Sequence, residues 1–186
     1  MNAPILKKGN NWSGVISNYF ENSLIDCLAW TSAVCMNKEF LNSLNGFDIK
    51  ITHGAGEDTD LWLRAALKSD LAFSTTVTSR HNLDSNNRIS NTPTLKRNYM
   101  DLDKYEDIST NSVFLKKYLD LNRYSFALQY KMSKDINTYK NYTKKINLDN
   151  LNTKQQFLLK QPRIILLLLI NIKSFFERIG FRLSSF

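Results

Sequence analysis

The chain holds only two cysteines, two histidines, three prolines and six glycines among its 186 residues. Cys27 and Cys35 sit at either end of an apolar segment that reads as one strand. An extended segment of that length holds its ends too far apart to bridge. A disulfide-stapled secreted domain is therefore excluded. The two thiols are expected to be free and buried, in a reducing compartment. No cysteine or histidine pair has the spacing of a zinc site. No apolar run reaches the roughly 20 residues that span a bilayer, and residues 1–8 have no apolar stretch long enough for a signal peptide. The expected location is cytoplasmic, peripheral at the inner face of the membrane.

What is present fits a folded globular chain with a sizeable core, at 42% hydrophobic and 12% aromatic content. The net charge of +8 is unevenly spread. Residues 1–95 carry 8 Lys/Arg against 9 Asp/Glu, whereas residues 96–186 carry 17 against 8. The second half is where an acidic partner would go, whether a membrane surface, a nucleic acid or a phosphorylated lipid. Against nucleic acid, the Lys-rich helices carry no recognition motif, and Tyr at helical spacing reads more simply as core.

The chain divides by character at residue 93. In the first part, residues 14–26 read as a short helix and residues 28–36 as a buried strand. Asn37 is placed to cap a helix through Leu44, which Asn45-Gly46 ends, and Phe47 reads as a core plug. Residues 71–77 read as a second strand, and residues 79–93 are polar and irregular. From residue 94 the pattern is helical. Residues 99–131 are broken near 109–112, and residues 135–145 follow. Residues 147–150 are a turn, and a helix starts at Leu151. Pro162 stands at the first position of a last helix. That helix opens on seven aliphatic residues and continues with Lys173, Phe175, Phe176 and Arg178, a composition suited to a membrane interface or to packing on the catalytic part.

The densest chemical signal is Gly54-Ala55-Gly56-Glu57-Asp58-Thr59-Asp60-Leu61-Trp62-Leu63-Arg64. Glycines permit a tight backbone turn, and acids in a helix's first turn are favoured by its unpaired N–H groups and dipole. The acids read either as a helix cap or as a site carboxylate able to take a proton from a substrate. Asp60 reads as a cap or an internal hydrogen-bond partner, Trp62 and Leu63 as core, and Arg64 as the partner of a local acid.

Thr31-Ser32-Ala33-Val34-Cys35, Gly46-Phe47-Asp48, Gly56 to Arg64 and Leu71-Ala72-Phe73-Ser74 occur in the order and spacing of one known pattern. Over residues 19–90 the chain resembles the acceptor-side half of the catalytic domain of family 2 glycosyltransferases, which have the Rossmann-like GT-A fold. The resemblance implies an incomplete GT-A sheet over residues 1–93, lacking the nucleotide-binding half, followed by an all-helical basic extension over residues 94–186. It implies sugar transfer, with inversion, from a nucleotide-sugar to a saccharide or lipid-linked glycan hydroxyl. Asp58 would be the general base and Glu57 would orient the acceptor or the loop. Gly56, His53, Arg80, His81 and Arg88 would contact substrate. A divalent metal, Mn or Mg, is expected for the complete enzyme. Its ligands are mostly absent here, His81 being one candidate, because Asp58-Thr59-Asp60 stands in the wrong place to be the family's Asp-x-Asp. A separate N-terminal half is an expected partner. The rival reading is a non-catalytic remnant that binds partners.

Overall fold

The computed structural model describes residues 11–80 and 89–178. They form a mixed α/β chain, mostly helical, with one small antiparallel sheet. The chain falls into two compact units, Met1–Tyr118 and Leu119–Phe186.

In the first unit the sheet pairs β1 (Ser13–Ile16) with β2 (Leu71–Ser74), in the register Ser13↔Ser74 to Ile16↔Leu71. Trp12 and Thr75 extend the ladder, with the Thr75 N–H donating to the Trp12 carbonyl at 2.9 Å. Ile16 is buried against Trp12, Leu28, Leu71 and Phe73. The helix expected over residues 14–26 is thus corrected. Its first part is a strand whose partner lies far along the chain, and only α1 (Tyr19–Asn22) is helical, capped by the Asn18 side chain. Tyr19 and Phe20 are buried and meet Tyr118 ring to ring at 6.1 and 5.5 Å.

The strand expected over residues 28–36 is also corrected. The segment is irregular around a single 3-10 turn at Thr31–Ala33, and of its residues only Ala29 is buried. Apolar composition does not make a strand without a ladder partner. Cys27 and Cys35 are consequently exposed thiols, not buried ones. Asn37 does cap α2 (Lys38–Ser43), accepting from the N–H groups of Glu39 and Phe40. Asn45 and Gly46, both at positive φ, end that helix. Phe47 is 45% exposed and lies edge-on to Trp62, so it does not plug the core. Helix α3 (Glu57–Ala66) buries Leu61, Trp62 and Leu63. After short 3-10 turns come α4 (Glu106–Ser109) and then α5 (Val113–Met132), separated at the expected break.

The division between units falls within α5. The second unit is all helical, with α6 (Ile136–Lys144), α7 (Thr153–Lys160) and α8 (Arg163–Arg178). A reciprocal Asn152–Gln155 capping box opens α7. Tyr124, Ala127, Leu128, Ile146, Leu151, Leu158, Leu159 and Leu166 form its core. Asp120, fully buried, faces Arg123 at 3.3 Å and accepts from the Asn147 N–H and the Asn150 amide. Lys131 is buried as well. Burial pushes its ammonium below the usual lysine range, while its Nζ donates to the Leu159 carbonyl and stands 4.6 Å over the Tyr139 ring.

Candidate functional site

The acid stretch is fixed by its own backbone. His53, Gly54 and Gly56 have φ of 59, 71 and 102°, three left-handed residues within four positions. They fold residues 52–56 into a tight turn against residues 98–100. The Thr52 N–H donates to the Asn98 carbonyl, the Met100 N–H donates to the Ala55 carbonyl, and Asn98 N–H donates to Thr52 Oγ1, all at 3.1 Å. Gly56 is the residue from which α3 starts, its carbonyl accepting from the Asp60 N–H at 2.8 Å. A Cβ on Gly56 would stand 2.9 Å from Sδ of the buried Met100. Gly56→Ala is therefore expected to cost about 1–2 kcal/mol, from left-handed strain and displacement of Met100. Denaturant unfolding followed by tryptophan fluorescence checks this, and an unchanged midpoint would contradict it.

The three acids then separate into different environments. Asp60 is fully buried. Its Oδ2 accepts from Arg64 Nε at 2.8 Å, and its Oδ1 accepts from the Tyr105 hydroxyl and from Lys104 Nζ, each at 2.6 Å. Burial alone would raise this carboxyl. The hydrogen bonds from Lys104, Tyr105 and Arg64, with the Lys104 charge, outweigh burial and hold it below the usual carboxylate range. Burial and the bond to Asp60 push the Tyr105 phenol well above its ordinary value. Arg64 continues the knot, donating to the Leu44 and Gly46 carbonyls. Asp60 and Arg64 thus hold the end of α2 on the start of α3, as the internal-partner reading expected. Lys104 and Tyr105, which complete the set, carry no local sequence signal that links them to Asp60.

Asp58 is half-buried among polar groups. Its Oδ1 accepts from the Thr59 N–H at 2.7 Å, and its Oδ2 accepts from the Thr31 hydroxyl at 3.4 Å. Ser79, two residues short of His81, donates from its hydroxyl to the Ser32 carbonyl at 3.2 Å. The structure therefore brings together the 31–32 segment, the start of α3 and the 79–80 segment, with Arg80 exposed at the end of the last. Glu57 Oε2 is buried and has no hydrogen-bond partner. His53 is exposed. His81 and Arg88 lie outside the described residues. In sequence Thr31 stands out only as the start of the Thr31–Cys35 run, because its link to Asp58 spans 27 positions.

An open cleft of about 220 Å³ lies along the later turns of α3, lined by Tyr19, Val34, Met36, Phe40, Trp62 and Ala66 among others. Asp58 is not among its lining residues. Among the described residues no three His, Cys, Asp or Glu side chains come together as a metal site. Chemically, the arrangement offers one fixed, solvent-reachable carboxylate with an unsatisfied carboxylate oxygen next to it. Set against protein-family models, curated protein sequences and solved structures, the chain matches none of them.

Proposed function

We propose that the chain is the acceptor-side part of an inverting glycosyltransferase of the family 2, GT-A type, with Asp58 as general base. The observation that carries this reading is the state of Asp58. It is a carboxylate presented at a helix start, behind a left-handed glycine turn, reachable by solvent and oriented by Thr31 and Thr59. Asp58 takes the proton of an acceptor hydroxyl as that oxygen attacks the anomeric carbon of a nucleotide-sugar. The bond from that carbon to the diphosphate oxygen breaks, and the nucleoside diphosphate leaves with the bonding electrons. Attack from the face opposite the leaving group inverts the anomeric centre. Glu57, whose Oε2 lacks a partner, accepts a hydrogen bond from a second acceptor hydroxyl. Gly56 and His53 border the acceptor, and Arg80, with His81 and Arg88, supplies positive charge for the diphosphate. The acceptor class is a saccharide or a lipid-linked glycan.

The divalent metal expected of such an enzyme finds no ligand set among the described residues, so no step here is routed through one. Donor binding is assigned to a nucleotide-binding half that would complete the fold. One observation favours a second reading, that of a partner-binding protein without chemistry. Among the described residues no further strand pairs with either edge of the β1–β2 sheet, and an open edge can take a strand from another chain. Deletion of the gene tests the first reading. Cells lacking it are expected to lose one sugar from a surface or lipid-linked saccharide, read by mass spectrometry of released glycans. An unchanged glycan profile would overturn the transferase assignment.

A further inference from the structure

Helix α8 docks on the second unit by one side only. Leu166 is buried in the core, and Leu169 packs against it. Arg163 Nε anchors the start of the helix by donating to the Met132 carbonyl at 2.7 Å. The other side is open and apolar. Ile164 is 76% exposed, Leu168 56% and Phe175 61%, with Ile165, Ile172 and Phe176 also exposed. At about 100° per residue these six side chains fall within an arc of roughly 120°. They make one continuous stripe along about 18 Å of helix. A stripe this size, left open, marks an interaction surface.

The charge of the unit identifies the surface that fits. Residues 119–186 hold 12 Lys/Arg and 4 Asp/Glu, a net +8, which is the whole net charge of the chain. Of the four acids, Asp120 is buried and Asp135 is engaged as the cap of α6. Lys134, Lys140, Lys144, Lys145, Lys154 and Lys160 are all exposed. A second copy of so basic a unit would be repelled, whereas an anionic surface is attracted. No described helix is long and apolar enough to cross a membrane. An apolar stripe ending in a phenylalanine pair, on a strongly basic body, has the make-up of a helix lying in the headgroup plane.

We propose that this face of α8 seats the chain on an anionic lipid bilayer, parallel to its surface. The inference stands apart from any chemistry at Asp58. The full chain is sedimented with vesicles of mixed phosphatidylglycerol and phosphatidylcholine, and with vesicles of phosphatidylcholine alone. It is expected to bind the mixed vesicles at least about tenfold better at low salt, and to lose that advantage at high salt. Leu168→Ser with Phe175→Ser is expected to abolish binding while circular dichroism keeps the helix content, since both side chains are exposed. Where that double variant loses helix, Ile164→Ser at the most open position is read instead and is expected to weaken binding several-fold. No sedimentation with the anionic vesicles at low salt would overturn the proposal, as would undiminished binding by helical variants. So would a wild-type dimer that ignores vesicles and becomes monomeric in the double variant, because the stripe would then belong to a second copy.

Discussion

Asp60→Ala is expected to lower the stability of the first unit by about 3–5 kcal/mol. The carboxylate is fully buried and is met by Arg64, Lys104 and Tyr105 at 2.6–2.8 Å. Its removal leaves two cations facing each other around a buried phenol hydroxyl without its acceptor. Loss of the shared acceptor costs more than the net value of the set, because the buried Tyr105 hydroxyl is left unpaired and Arg64 and Lys104, 22% and 36% exposed, lose the anion between them. Against a total stability of about 5–15 kcal/mol, a loss of this size can unfold the unit at ordinary temperature. The readout is specific, since Trp12, Trp30 and Trp62, the chain's three tryptophans, all lie in the first unit. Their fluorescence in a urea titration is expected to show a large fall in midpoint. A midpoint within experimental error of the wild type would contradict the role given to Asp60.

The same carboxylate gives a pH dependence of definite sign. Its folded-state affinity for protons is held below the usual carboxylate range. Its contribution to stability is therefore present above the ordinary aspartate value of about 4, and is lost as pH falls from there through the lower folded value. Asp60→Asn is expected to flatten that acid limb of the stability profile along with lowering it.

Much of this arrangement was legible because its contacts are local. Asn37 caps α2 through N–H groups two and three residues on, and Asn45-Gly46 ends it. Arg64 reaches Asp60 across one helical turn. The turn at 147–150 and the helices after residue 112 follow from spacing and caps alone. The parts that were not legible depend on distant partners. Ser13 meets Ser74 across 61 positions, and this pairing turns an apparent helix into a strand. Residues 28–36 have strand composition but no ladder to join, so they remain irregular and leave both cysteines open to solvent. The site divides the same way. The acids, the glycines and the helix they head were readable. The burial of Asp60 by Lys104 and Tyr105, the anchoring of Asp58 by Thr31, and the approach of Ser79 to Ser32 were not. Arg80 stands out in sequence only through the resemblance, and the segment that ends on it meets Ser32 through Ser79.

This separation of roles makes the second large effect independent of the first. Asp60 is sealed and structural. Asp58, two residues earlier, is half-buried and held at each oxygen by only small hydroxyl and amide donors. Asp58→Asn keeps the size of the side chain and removes its ability to take a proton. Loss of a general base lowers a rate by about 10²–10⁴-fold, so the substitution is expected to abolish measurable transfer while leaving the fold intact. The decisive measurement is the glycan profile of cells carrying Asp58→Asn at the native gene, with the variant's abundance checked by immunoblot. The expected result is wild-type protein level with the same missing sugar as in the deletion. A glycan profile matching the wild type, at wild-type protein level, would show that Asp58 is not the base.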